Sequence, residues 1–286
     1  NELYKAAPDT GGVGWRLGVD VEGGYDQFRY DVPGFPSKEE GSAWYMAPAL
    51  YAEPTIKVGF AELTAGLRSD VRFLEGSGPL AMVDPRFSVR LKAPTTTVKG
   101  AVGTYSRFPT PRQVQSATAD GVTLGPERST QLALGVEQRI GPMVTVETTG
   151  FVNFLSNLVV GREDTFRFFT GPPPIGPFDT DPYANDGTGR VVGLEVLAKL
   201  QSDRTTAWFS GTFSNSTRVK RPGDERTLFV NDQPVVLTAL VSYQLPRRWR
   251  IGARARYTSG VPYTPVVNRT LDAYTREWQP VYGERD

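Results

Sequence analysis

Histidine and cysteine are both missing from the 286 residues. Without cysteine there are no disulfides and no thiolate metal sites. Without histidine the commonest catalytic base and the commonest metal ligand are gone. A serine–histidine triad and histidine-ligated haem or zinc are therefore excluded within this chain, and no enzymatic activity or cofactor is expected. Long apolar runs are also missing: no segment approaches the roughly 18–20 apolar residues of a membrane-spanning helix. Charge of one sign is scarce in excess, with 32 Lys and Arg against 31 Asp and Glu. That balance gives no reason to expect a nucleic-acid partner. There is no initiating Met and no signal peptide. With Asn1 at one end and Asp286 at the other, both termini read as cuts within a longer protein.

What the chain does have is alternation. In Trp249 to Tyr257, the residues Trp249, Ile251, Ala253, Ala255 and Tyr257 fall on one side. Arg250, Gly252, Arg254 and Arg256 fall on the other, because successive side chains of a strand point to opposite faces. Leu237, Ala239, Val241, Tyr243 and Leu245 alternate in the same way just before, and Pro246-Arg247-Arg248 is short enough only for a tight hairpin. Aromatic rings stand near the strand ends. The pattern fits a transmembrane β-hairpin, apolar toward lipid and polar toward a lumen.

The same pattern recurs along the chain. It appears at Trp15–Tyr25, at Leu63–Phe73, at Phe87–Lys92, at Val98–Arg107, at Leu132–Arg139, at Val144–Phe154, at Val192–Leu200 and at Ala207–Ser214. Trp44–Thr55 is the weakest strand, apolar on both sides and carrying Pro48 and Pro54, each of which removes a ladder donor. A soluble sandwich would alternate too, but two further features favour a membrane barrel. Nearly every strand carries ionised residues on its polar face. The links also alternate, short near Gly59, Pro94, Gly141, Asp203 and Pro246, long near Gly34, Gly76, Ala117, Pro173 and Gly223. Outer-membrane barrels place short turns at one end and long loops at the other, whereas Greek-key sandwiches have no such regularity. The expected fold is all-β, an antiparallel up-and-down transmembrane barrel. It should have about eleven strands of about 9–15 residues and negligible helix. Bacterial single-chain barrels have even strand numbers, so residues 1–286 read as a partial outer-membrane barrel domain.

Several phrases, in order, resemble the barrel of TonB-dependent outer-membrane receptors. They are Leu50-Tyr51-Ala52-Glu53 with Gly66-Leu67-Arg68, Asp84-Pro85-Arg86, Gly103-Thr104-Tyr105-Ser106-Arg107-Phe108-Pro109, and Gly193-Leu194-Glu195. Asp232-Gln233-Pro234, Ser242-Tyr243-Gln244-Leu245-Pro246, Gly252 to Gly260 and Pro262-Tyr263-Thr264-Pro265 follow. Where the family often has His after Asp-Gln-Pro, Val235 stands here. The resemblance implies a 22-stranded barrel enclosing an amino-terminal plug domain, preceded by a TonB box that meets the inner-membrane energy-coupling protein. Neither plug nor box nor the last strands are found in the sequence. It further implies a bacterial outer-membrane location, contact with outer-membrane lipid, and energised uptake of a bulky scarce small-molecule ligand such as a metal–siderophore complex. A passive porin-like or adhesive barrel and a soluble all-β binding domain remain as alternatives.

The candidate ligand-binding residues are Arg68, Arg90, Arg254 and Arg256, as lumen cations able to guide an anionic ligand or anchor a plug, and Tyr105 and Phe108, as rings able to stack on it. The plainer reading makes the arginines partners of Asp70, Glu137, Glu147 or Glu195, and the rings part of a membrane girdle or of loop packing. Asp179-Thr180-Asp181 with Asp186 offers oxygen ligands of the kind calcium takes, although an unliganded, solvated loop is the plainer reading. No metal site and no catalytic residue is assigned.

Overall fold

A computed structural model describes residues 2–6, 12–31, 38–161, 183–271, 276 and 278–283. Its main body is one antiparallel sheet of consecutive neighbours. The order is β1 (Glu2–Ala6), β2 (Gly12–Asp31), β3 (Lys38–Val58), β4 (Ala61–Leu74), β5 (Leu80–Lys92) and β6 (Thr96–Arg107). It continues with β7 (Glu127–Ile140), β8 (Val144–Val160), β9 (Ala184–Gln201) and β10 (Thr205–Val219). β11 (Thr227–Leu228) pairs only with β10, and β12 (Val235–Gln244) and β13 (Arg250–Thr258) complete the sheet. β14 (Val266–Leu271) and β15 (Trp278–Tyr282) form a separate hairpin.

The expected faces are there. Leu132, Leu134, Val136, Val192, Leu194 and Ile251 are exposed on the outer face, and the register aligns Leu132 with Val102 and Val152 on that same face. Among the described residues β13 does not pair with β1 or β2, so Trp15–Tyr25 and Trp249–Tyr257 do not close a small barrel. The sheet is open, as part of a larger barrel would be.

Four expectations need correction. First, β2, β3, β8 and β9 run to 20, 21, 17 and 18 residues, longer than foreseen. A membrane crossing takes only roughly 9–11 residues, so the β2–β3 ribbon is longer than one crossing; it leaves only residues 32–37 to the link near Gly34, and β5 starting at Leu80 shortens the link near Gly76. Second, the strand thought weakest is the longest. Pro48 and Pro54 interrupt only the ladder to β4, which resumes in the same register, while pairing to β2 stays continuous through both. A proline lacks its donor on one side only. Third, β1 adds a strand before Trp15. Fourth, the segment after Phe108 contains α1 (Pro111–Ala119).

Helix α1 has local causes. Thr110 caps it by accepting from the Gln113 N–H, and the Gln113 side chain accepts from the Thr110 N–H at 2.8 Å, a reciprocal capping box. Pro111 occupies the first turn, where its missing donor costs nothing. At the other end Gly121 takes the left-handed conformation (φ +76) that lets a helix terminate.

Candidate functional site

The inner face gathers the charge. Arg68 on β4 reaches Asp20 on β2 (Nη1 to Oδ2 2.7 Å) and chelates Asp70 on its own strand (Nε to Oδ2 3.0 Å, Nη2 to Oδ1 2.9 Å). Strand geometry makes this possible, since residues two apart share a face. Farther along the wall Arg16 meets Glu53 (2.9 Å), Lys92 meets Glu62 (2.6 Å), and Lys99 bridges Glu137 (2.6 Å) and Glu147 (2.9 Å). Small residues fit rings between these charges. Tyr51 lies directly across from Gly18 and Phe151 across from Gly193, each ring occupying the space a Cβ would need.

At the long-loop end the β6–β7 connection folds back over this wall. Arg72, buried, donates to the Pro109 carbonyl and lies over the Phe108 ring at 4.9 Å. Val114 of α1 packs on Ala43 and Leu74, with Tyr45 beside them. The Gln115 amide donates to the Ser42 carbonyl (3.1 Å). On the other side Ala117 and Leu124 pack on Tyr183. Arg112 donates to the Tyr183 hydroxyl (3.1 Å), and Asn185 exchanges hydrogen bonds with the Gly125 backbone. The connection is thus tied to both neighbouring parts of the sheet, and beneath it opens a cleft of about 780 Å³ lined by Asp20, Glu22, Tyr45, Arg68, Arg72 and Phe108 among others.

Of the residues singled out in sequence, Arg68 and Phe108 share this cleft. Arg68 is fully engaged with Asp20 and Asp70, the structural role weighed for it. Arg90 lines a smaller recess of about 320 Å³ with Lys99 and Glu147, and forms no ion pair with a described residue. Tyr105 stands on the inner face beneath the Arg86 guanidinium at 4.4 Å, so the girdle reading of this ring is wrong: its strand parity matches Gly103, which faces Arg86. Arg254 and Arg256 lie on the inner side of β13, exposed and without an ion pair to a described residue. Glu137 and Glu147 are taken by Lys99 rather than by an arginine. Asp179, Thr180 and Asp181 lie outside the described residues. Missed altogether were Glu22, Tyr45 and Arg72, and the loop that roofs the cleft. Glu22 and Tyr45 meet at 3.2 Å across a β2–β3 ribbon whose extent the prolines had concealed. The roof had a visible signal in Thr110-Pro111-Arg112-Gln113, a capping-box spacing.

No curated protein matches the sequence. Among solved structures, the FrpB iron transporter from Neisseria meningitidis is similar at 13% identity and a TM-score of 0.63, covering 99% of this chain and 45% of that one. The siderophore receptor PiuA from Acinetobacter baumannii is similar at 15% identity and a TM-score of 0.63, with 96% and 46% covered. The copper transporter OprC gives 17%, 0.61, 87% and 40%. The chain thus spans less than half the length of each. At these identities the likeness concerns the fold. The family described as TonB dependent receptor-like, beta-barrel matches residues 4–279. The chain belongs to that family, whose members are receptors and transporters of the bacterial outer membrane.

Proposed function

We propose that the chain is part of the wall of an energised outer-membrane transporter. In this reading a plug domain of the same protein occupies the lumen, an inner-membrane TonB-type protein supplies the energy, and the cargo is a bulky scarce ligand such as a metal–siderophore complex. The observation that carries it is the inner face. It is a charged, hydrogen-bonded wall opposite an apolar outer face, with a cleft of about 780 Å³ roofed by an anchored loop at the end where cargo arrives. Within this reading Arg254, Arg256 and Arg90 attract an anionic cargo or plug surface, Phe108 offers its ring at the cleft, and Tyr105 sits deeper under Arg86. The test uses cells in which the gene encoding this chain supplies the sole receptor of its kind, and follows uptake of a radiolabelled ferric siderophore panel. Uptake of at least one member should vanish when TonB is deleted. Uptake that persists unchanged without TonB would replace this reading with a passive porin.

A further inference from the structure

The five short links differ sharply in charge. Gly59-Phe60, Ala93-Pro94-Thr95 and Gly141-Pro142-Met143 carry none. Ser202-Asp203-Arg204 and Pro246-Arg247-Arg248 carry three arginines against one aspartate, and they are neighbours in space, since the Gln244 N–H donates to the Arg204 carbonyl at 2.8 Å. All three arginines are exposed and make no ion pair with a described residue. Arg247 and Arg248 also take left-handed backbone (φ 63 and 65), a region that Gly and Asn adopt at lower cost than arginine.

The outer face beside these two links is hollowed, and the hollow reaches Val144 at the start of β8. Ala198, Ala207, Ala239, Val241, Ala253 and Ala255 share that face by register. With Val144, Phe209 and Leu200 they line a recess of about 490 Å³ whose exposed lining is mainly apolar, Lys199, Trp208, Leu240 and Arg254 of the opposite strand parity also bordering it. Between recess and links stand Tyr243 and Trp249, exposed, at the level where aromatic rings mark a membrane interface. Ala253 is four positions along the strand from Trp249, roughly 13 Å at 3.3 Å per residue, which puts the recess in hydrocarbon and the arginines among headgroups.

We propose that the recess holds an acyl chain of an anionic glycerophospholipid whose phosphate is bound by Arg204, Arg247 and Arg248. The lipid belongs to the leaflet at the short-link end. Small side chains provide room for a chain without lateral gaps, and guanidinium forks match phosphate oxygens. The inference rests on the outer-membrane reading above.

Native mass spectrometry of the full-length protein, titrated with phosphatidylglycerol, phosphatidylethanolamine or lipid A, tests it. Phosphatidylglycerol should be retained over phosphatidylethanolamine. Arg247→Asn with Arg248→Gly, which suits the left-handed backbone and so spares folding, should lower that preference about fivefold per arginine. Ala253→Phe should reduce retention of both phospholipids alike by filling the recess. Equal retention of the two phospholipids by the wild type, an unchanged preference in the double variant, or displacement by lipid A would each overturn the proposal. A protein that keeps its phosphatidylglycerol but transports without TonB would sink the transport reading and leave the lipid site standing. One that transports with TonB but shows no headgroup preference would do the reverse.

Discussion

From β2 to β8 most charges of the inner wall answer one another, Arg90 excepted: Arg16 with Glu53, Arg68 with Asp20 and Asp70, Lys92 with Glu62, Lys99 with Glu137 and Glu147, Arg107 with Glu127. From β9 to β13 they do not. Glu195, Lys199, Arg250, Arg254 and Arg256 form no ion pair with any described residue. The outer faces of both regions are apolar. The first region spends its charge on the wall itself, cross-linking strands distant in sequence and fixing the floor of the cleft. The second leaves its charge to solvent and to whatever enters the lumen. An unpaired, exposed arginine is hydrated at little cost, whereas an ion pair in a half-buried cleft restrains both partners. The comparison therefore separates residues that hold shape from residues free to act on a ligand.

The largest effect tests what the regions share. Leu134 on β7 and Leu194 on β9 are both exposed on the outer face. Arginine at either should cost roughly 2–4 kcal/mol if it meets mid-membrane lipid, read as the shift in a urea unfolding curve in bilayers. If one substitution is neutral, that residue does not face lipid and the common outer face is lost.

The next tests what the first region has alone. Asp70 is 7% exposed and accepts from two nitrogens of Arg68. Asp70→Asn should cost about 2 kcal/mol, in the range for hydrogen bonds to charged groups. A smaller effect than Arg254→Gln would erase the distinction between the regions.

Lys99 gives a finer test. Glu137 and Glu147 are direct cross-strand partners, and like charges so placed repel. Lys99 sits between them at 2.6 and 2.9 Å. Lys99→Met should cost about 1 kcal/mol in low salt, less as salt screens the two carboxylates. Adding Glu147→Gln should restore most of it. If the double variant is no better than the single, the three residues do not act together.

How much of this was legible follows from range. Faces depend on parity within one strand, so the lipid side of Leu194 and the lumen side of Arg254 could be read from alternation alone. Turn positions came from Gly and Pro in the same local way. The cleft depends on pairing between elements far apart, as in Arg68 with Asp20, 48 positions away, and no local pattern states which carboxylate an arginine will meet. Two misses were local and avoidable. Pro48 and Pro54 look like strand breakers, yet each silences one ladder only. The capping box at Thr110–Gln113 announced a helix in a segment read as loop. Tyr105 shows strand parity outweighing aromatic character: it shares the inner-face parity of Gly103, opposite Arg86.

The smallest expected stability effect is the most informative about function. Arg254 and Arg256 have no compensating carboxylate among the described residues and are exposed. Replacing both with Gln removes no ion pair there, so unfolding free energy should move by less than about 0.5 kcal/mol. Their field reaches farther than contact, roughly 8 Å at physiological salt, and low-dielectric walls concentrate it along a lumen. In the full-length receptor the double variant should therefore capture a polyanionic cargo more slowly, and the deficit should shrink as salt rises toward the point where wild type and variant coincide. Cargo without net charge should be captured equally by both. A large loss of stability would mean that these arginines are tied within the assembled wall or plug like Arg68 in its cleft. The second region would then hold shape as the first does, and the cations acting on ligand would have to be sought elsewhere, with Arg90 the next to test.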